Sequence, residues 1–158
     1  MQILIRYSRV LPALAALLFF ACSSSRPPLT PEEAFGVMKK AYAAENPRAV
    51  ASLLSAKSRA RIRDIIAMTM SLDERRLRAL ASRIGVDPTE LGGLTPESYI
   101  ALQMKLAKQM NDDAVRHALS CDIIEIKRDG NRASVRVDNG MELPFVKEGP
   151  YWKFDLDW

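Results

Sequence analysis

The sequence has few of the residues that usually carry metal or enzyme chemistry: one histidine and two cysteines among 158 residues. These three residues show no spacing typical of a metal site, so we expect no bound metal ion and no cofactor. A Gly-rich phosphate loop and a Gly-x-Ser-x-Gly nucleophile motif are also absent from the sequence. These absences favour a non-catalytic protein.

Charge of one sign is not in large excess either. The chain has 23 lysines and arginines against 19 aspartates and glutamates. Arg6 and Arg9 belong to the N-terminal segment, and without them the balance is 21 against 19, a net charge of +2. A chain this close to neutral lacks the electrostatic signature of nucleic-acid binding, so we expect no nucleic-acid partner.

The long apolar run, Val10 to Phe20, is too short for a bilayer-spanning helix, which needs about 20 apolar residues. Two arginines precede it, and the small Ala21 and then Cys22 follow it. This order is typical of a signal peptide, so residues 1–21 are predicted to be removed. The alternatives are a secretory signal followed by a chance cysteine, and a buried helix.

The residues Phe19-Phe20-Ala21-Cys22 resemble the lipobox of bacterial lipoproteins. The resemblance implies cleavage before Cys22, acylation of its sulfur and new amino group, and a membrane as partner. Ser23 after the modified cysteine resembles the signal for export to the outer membrane, so we expect a cell-envelope location facing the periplasm. Residues 22–29, rich in serine and proline, are predicted to be a tether.

From Thr30 to Leu119 apolar residues recur at helical spacing, which predicts a series of helices. Gly85 is predicted to end one of them. The inner face of the last helix should carry Tyr99, Leu102, Leu106 and Met110, and its continuation to Val115 and Leu119 is left open. The predicted helix starts are the capping boxes Thr30-Pro31-Glu32-Glu33 and Ser71-Leu72-Asp73-Glu74, and the pairs Asn46-Pro47, Asp87-Pro88 and Thr95-Pro96.

At Cys121 the apolar period changes to 2, which marks a change from helix to sheet. Asp129-Gly130, Asn139-Gly140 and Glu148-Gly149-Pro150 separate four alternating runs and are typical hairpin turns. Pro144 cannot donate to a ladder, so we expect a bulge or an unpaired edge there. The residues predicted to face the core are Ile124, Ile126, Ala133, Val135, Val137, Met141, Leu143, Phe145, Trp152, Phe154, Leu156 and Trp158.

Residues 30–158 are therefore predicted to form one α+β domain, with several N-terminal helices packed on a curved four-stranded antiparallel C-terminal sheet. This layout, with a closing Gly149-Pro150-Tyr151-Trp152-Lys153-Phe154-Asp155-Leu156, resembles the nuclear-transport-factor-2-like, cystatin-related superfamily, and most of all its small lipoproteins of unknown function. The resemblance implies a cone-shaped sheet around a cavity. It also implies functions from isomerases to catalytically silent binding or assembly modules.

Catalytic candidates are few, and each has a structural alternative. His117 is the sole histidine, but a surface position near a helix C-terminus is favoured for it. The acids nearest to it in sequence are Asp112, Asp113 and Asp122. Tyr42 and Tyr99 are candidate oxyanion donors by analogy with ketosteroid isomerases. Both lie on apolar helical stripes, where a core position is favoured.

Cys121 has no partner for an intrachain disulfide once Cys22 is acylated. A small buried hydrophobe is the favoured interpretation, because free cysteines are often buried. An exposed reactive thiol is the alternative.

A basic segment runs from Lys57 to Arg83, with eight cations against three anions and a net charge of +5. A solvated outer helix face is the favoured interpretation. The alternative is contact with anionic lipid headgroups or an acidic envelope polymer. The candidate contact residues are Arg75, Arg76, Arg78 and Arg83.

The leading hypothesis is a lipid-anchored, non-catalytic envelope domain that binds a small apolar ligand or a partner protein. A small isomerase-like or hydrolase-like enzyme with an acid in the cone cavity is the rival hypothesis. A structural assembly subunit is the third.

The lipidation hypothesis predicts that Cys22→Ala prevents incorporation of labelled palmitate and leaves the protein in the soluble fraction. Cys121→Ala is the matched control, since it removes the only other thiol and should keep both the label and the membrane attachment. Metabolic labelling followed by membrane fractionation measures both. Label that persists in Cys22→Ala would contradict the hypothesis.

Overall fold

The computed structural model describes residues 27–111 and 113–156. The predicted signal peptide (residues 1–21), the proposed lipidation site Cys22, Asp112 and Trp158 lie outside the described residues. Within them the chain has the predicted α+β class, with helices first and an antiparallel sheet at the C-terminal end.

Seven helices precede the sheet in the described chain. Most begin where the sequence predicts, because a capping side chain accepts a hydrogen bond from a backbone N–H in the first turn. Thr30 caps α1 in this way, accepting from Glu33 N at 3.1 Å. The bounds are α1 Pro31–Ala43, α2 Pro47–Leu53, α3 Ala56–Met70, α4 Glu74–Ile84, α5 Pro88–Gly92, α6 Pro96–Met110 and α7 Ala114–Ser120.

The start of α4 differs from the prediction. Its cap is Asp73, whose carboxylate accepts from Arg76 N at 2.9 Å. Ser71 instead closes α3, because its N–H donates to Ala67 O at 3.0 Å. The predicted capping box from Ser71 to Glu74 is therefore wrong: Ser71 belongs to the end of one helix, and Asp73 starts the next.

The last predicted helix is in fact two helices. Asn111 adopts a left-handed backbone conformation with φ 51° and ends α6, after which Asp113 caps α7. Tyr99 and Leu102 are buried as predicted, but Met110 is 72% exposed. The inward position predicted for Met110 is therefore wrong, and Met110 is the last residue of α6.

The four strands form an antiparallel meander in the order β1-β2-β3-β4, as predicted. Gly130 and Gly140 lie in two of the turns with φ of 56° and 85°, a conformation that glycine adopts without steric cost. The bounds are β1 Ile123–Asp129, β2 Arg132–Val137, β3 Glu142–Glu148 and β4 Tyr151–Phe154.

Strand β1 departs from the predicted alternation. The register shifts at an irregularity between Ile123 and Glu125, as in a β-bulge. Ile123 and Ile126 pack on the core, whereas Ile124 is 57% exposed. The prediction that Ile124 faces the core is therefore wrong, because an extra residue in one strand reverses the side-chain alternation beyond it.

Helix α1 packs against the inner face of the sheet, where it contacts β2 and β4. It buries Phe35 and Met38 there, and the inward residues of the strands, such as Val135 and Phe145, are almost fully buried opposite it. Helix α2 then packs on α1 and α6, and α7 packs on α1. The helices therefore cover the apolar face of the sheet, as an α+β fold requires.

Strand β4 is bonded on both sides. It pairs with β3 on one side. On the other side Trp152 N donates to Pro28 O at 3.0 Å, and Ser55 N donates to Phe154 O at 2.8 Å. Pro28 is buried, so ordered contacts begin two residues ahead of the predicted domain start at residue 30.

Pro144 lies at the end of the β3–β4 ladder. It sits opposite Ser134 in the regular β2–β3 register, and the β3–β4 register begins at Phe145. Its carbonyl accepts a hydrogen bond from Asp155 N at 2.9 Å, just beyond the last residue of β4. Neither predicted outcome is therefore found at Pro144 in the described strands: it is paired with Ser134 without a bulge, and its carbonyl is hydrogen-bonded on the β4 side.

A buried polar cluster joins the end of β4 to the start of α3. The hydroxyls of Ser55 and Ser58 lie 2.9 Å apart. Ser55 Oγ donates to Asp155 Oδ1 at 2.5 Å, and Ser58 Oγ lies 3.3 Å from the same oxygen. Leu156 N donates to Ser58 Oγ at 2.9 Å. Because buried hydroxyls are costly without partners, this cluster should be sensitive to the loss of any member.

We expect Asp155→Ala to lower the free energy of unfolding by about 1–3 kcal/mol, because it removes the shared acceptor of two buried hydroxyls. Asp64→Ala is the matched control, since Asp64 is exposed on α3, and its effect should stay within about 0.5 kcal/mol. Urea denaturation followed by circular dichroism measures both. Equal midpoints for Asp155→Ala and wild type would show that the cluster does not stabilise the fold.

Candidate functional site

A cavity of about 210 Å³ lies between the helices and the end of β4. Helices α1, α2, α3 and α6, the start of α7 and the last residues of the sheet form its walls. Ten of its fourteen lining residues are apolar, and six of these ten are buried. The buried apolar residues that line it are Val50, Leu54, Ile62, Ile100, Met104 and Phe154.

The polar cluster at Asp155 fixes one wall of this cavity. Leu54 and Phe154 form an isolated parallel β-bridge directly beside the cluster. Leu156, another lining residue, is held through its N–H by Ser58. The cavity therefore depends on hydrogen bonds between segments that are about a hundred residues apart in the chain.

Four polar residues also line the cavity: Tyr42, Tyr99, Gln103 and Asp113. The sequence singled out three of them as catalytic candidates, and the structure brings these three together. Gln103 and Ala107 were missed. Gln103 and Ala107 follow Tyr99 by four and eight residues along α6. Because residues spaced by four lie on one face of a helix, this spacing could have identified them.

Asp113 is the carboxylate on the cavity wall. Its Oδ1 accepts from Arg116 N at 2.8 Å as the cap of α7, and its Oδ2 accepts from Arg116 Nε at 3.0 Å. Both oxygens are therefore already engaged by donors from one arginine. This is the geometry of a helix cap with an ion pair, and it does not present a free carboxylate to the cavity.

The two tyrosines on the cavity wall are harder to ionise than ordinary tyrosines. Burial, reinforced by the negative charge of Asp113 and opposed by Arg116, raises the pKa of Tyr42 to about 12. Burial also raises the pKa of Tyr99 above its usual value. At neutral pH both phenols are protonated and can act as hydrogen-bond donors in an otherwise apolar site.

His117 does not line the cavity. It is exposed on α7 and borders an open groove beside the cavity, together with Lys108 and Arg116. Glu45 Oε1 forms ion pairs with both of these cations, at 3.1 Å from Lys108 Nζ and 3.4 Å from Arg116 Nη2. The hydrogen bond from Lys108 is the main cause that lowers the pKa of Glu45. The predicted surface position of His117 is therefore found, and neither Tyr42 nor Tyr99 lines this groove.

The four candidate contact arginines are all exposed on α4. Arg76 pairs with Asp73 at 3.4 Å and Arg78 pairs with Glu74 at 3.3 Å. These short-range pairs on an exposed helix are weak. Arg75 and Arg83 have no ion pair with any described residue.

Cys121 is half-buried at the end of α7. A hydrogen bond to Asp138 is the main cause that raises the pKa of its thiol above the usual value. A raised pKa lowers the thiolate fraction and so disfavours a reactive cysteine. The contact with the core agrees with the predicted role as a small packing residue, although burial is incomplete.

Within the described residues, no group of three or more His, Cys, Asp or Glu side chains is arranged to hold a metal ion. Within the same residues, no helix combines the length and the apolar character needed to cross a membrane.

Comparison of the chain with known protein families, with curated proteins and with solved structures found no match.

The raised pKa of Tyr42 predicts how the free energy of unfolding and the phenolate absorbance change at high pH. Because the pKa is higher in the folded than in the unfolded state, the unfolded chain loses this proton first. The free energy of unfolding should therefore fall as pH rises from about 10 to about 12. Phenolate absorbance of the chain from Ser23 to Trp158 should show its highest-pH step near 12. Tyr42→Phe should remove that step, whereas Tyr151→Phe, outside the cavity, should keep it.

Proposed function

We propose that this chain is a lipid-anchored, non-catalytic envelope domain whose cavity binds a small apolar molecule. The observation that carries the proposal is the cavity itself, which is lined mainly by aliphatic and aromatic side chains, half of the lining residues being buried. Apolar pockets with a few polar groups that fix orientation are the usual form of a ligand site. The protonated Tyr42 and Tyr99 and the amide of Gln103 supply such groups.

The size of the cavity limits the ligand. An apolar cavity of about 150 Å³ holds one benzene ring in a well-studied engineered protein. The cavity here, about 210 Å³, is larger. It suits a one-ring or two-ring aromatic molecule or a short acyl chain, and it is too small for a whole phospholipid.

The proposed anchor would keep this site near a membrane. Pro28 is fixed to Trp152, so only residues 23–27 remain between the proposed lipidated Cys22 and the folded part. Five residues span at most about 18 Å when fully extended. A ligand that partitions into the membrane would therefore meet the cavity close to the lipid surface.

The proposal predicts that indole stabilises the chain from Ser23 to Trp158, which contains every described element. At about ten times its dissociation constant, a ligand adds about 1.4 kcal/mol to the free energy of unfolding. For a domain of this size that raises the melting temperature by about 3–5 °C in scanning calorimetry. Ala107→Leu, which extends a side chain into the cavity, should abolish the shift. Ala101→Leu, exposed on the same helix, should keep it.

Val115→Phe fills the cavity from the opposite helix and provides a second test if Ala107→Leu does not fold. An aliphatic probe, 1-octanol, is measured in parallel. Absence of any shift with indole and with 1-octanol would contradict the proposal. A shift that survives both filling variants would contradict it as well.

One observation favours the rival enzyme hypothesis: Asp113 lines the cavity together with Tyr42 and Tyr99. Asp113→Asn separates the two functions, because asparagine keeps an acceptor for Arg116 N but carries no charge. A binding domain should keep its indole shift in this variant. A catalytic base would instead lose turnover of any substrate found, with the fold intact.

A further inference from the structure

The basic segment carries arginines that form no ion pair with the described part of the chain. Arg61, Arg63, Arg75 and Arg83 are exposed and have no ion pair with any described residue. The charges outside this segment must sum to about −3 in the chain after residue 21, since that chain is +2 in all and the segment is +5. The positive charge is therefore concentrated on α3 and α4.

Two exposed methionines accompany these arginines. Met68 is 71% exposed and Met70 is 55% exposed, and both lie in the last turn of α3. Arg61 precedes Met68 by seven residues, and Arg63 precedes Met70 by seven. Because seven residues make two helical turns, each arginine lies on the same side of α3 as its methionine. The two pairs are offset by two residues, about 200° around the helix axis, so they lie on the two flanks of the outer face of α3, and each flank carries a cation and an apolar side chain.

Helix α4 follows α3 directly in the chain. Only residues Ser71 to Asp73 separate the two helices, so Arg75 is five residues after Met70. Arg76 and Arg83 are again seven residues apart and share one side of the helix. The opposite side packs through Ala81 and Leu77, on α5. Helix α4 is thus an amphipathic helix at the periphery of the molecule, with its arginines outward.

We propose that the α3–α4 surface, formed by Arg61, Arg63, Met68, Met70, Arg75 and Arg83, binds anionic phospholipid headgroups. Arginine guanidinium groups pair with phosphate in bidentate geometry. Each cation near an anionic bilayer adds to the attraction. The methionines add apolar area that can enter the boundary between headgroups and acyl chains. An acidic polymer would use the arginines but would gain nothing from the methionines, which is why the lipid surface is the occupant we infer.

This surface is distinct from the cavity, so the inference stands whether or not the cavity binds a ligand. It also does not require Cys22 to be acylated, because the arginines and methionines belong to the folded domain. The test therefore uses the chain from Ser23 to Trp158, without the anchor. Failure in this test would leave the cavity proposal untouched.

The experiment is sedimentation of the chain with vesicles that contain phosphatidylglycerol, compared with vesicles of phosphatidylcholine alone. We expect binding to the anionic vesicles at low salt, loss of binding at high salt, and little binding to the neutral vesicles. Arg75→Glu combined with Arg83→Glu should weaken the binding by about tenfold or more. Neither arginine is needed for an ion pair of the fold, so folding should be unaffected.

Two matched controls locate the surface. Arg132→Glu combined with Lys147→Glu makes the same change in net charge at two exposed positions of the sheet and should leave binding within about twofold of wild type. Met68→Ser combined with Met70→Ser should weaken binding several-fold. Met110→Ser, at a methionine that is 72% exposed on α6, should not.

The proposal is overturned by any of three results. The first is that the wild-type chain fails to bind anionic vesicles at low salt. Equal loss of binding in the sheet control shows that only net charge acts. Binding to soluble dextran sulfate through Arg75 and Arg83, without vesicle binding and without an effect of the methionines, would assign the surface to an acidic polymer instead.

Discussion

The structure depends on the hydrogen-bond cluster of Ser55, Ser58 and Asp155. The helices and the sheet follow one another in the chain, so their relative position has to be fixed by contacts between distant segments. This cluster supplies such a contact in polar form, because Asp155 at the end of β4 accepts from hydroxyls at the start of α3. Around it, Ser55 N bonds to Phe154 O, and Ala56 N donates to Glu148 Oε1 at 2.5 Å. Two acidic side chains thus meet the N-terminal end of α3, where the helix dipole favours negative charge.

The cavity follows from the same arrangement. Leu54, Phe154 and Leu156 lie next to the cluster in sequence, so the bonds that join β4 to α3 also set the positions of three lining side chains. The remaining walls come from α1, α2, α3 and α6 and from the start of α7, which follows the left-handed Asn111. A helix that continued past Asn111 would carry Asp113 and Val115 away in a straight line, and the cavity would lack that wall.

Most of the fold could be predicted from local sequence patterns, because helix caps, hairpin turns and side-chain periodicity are local properties. The errors occur where a non-local feature decides. The register shift at Ile124 depends on pairing with β2, and the exposure of Met110 depends on the end of α6 at Asn111. The candidate site could be predicted only in part. Tyr42, Tyr99 and Asp113 were named, but nothing in the sequence placed them together, because their common cavity comes from packing across more than fifty residues of chain.

The two edges of the sheet are not equivalent. An open sheet with two free edges can add chain after chain, and such growth has no natural end. Here the outer edge of β4 is already bonded to Pro28 and Ser55 of the same molecule. Only β1, with its irregular register at Ile123, remains open within the described chain. Edge-to-edge pairing between molecules can therefore join two sheets through β1 and must stop there, so the fold excludes filaments built by this route while still permitting a dimer.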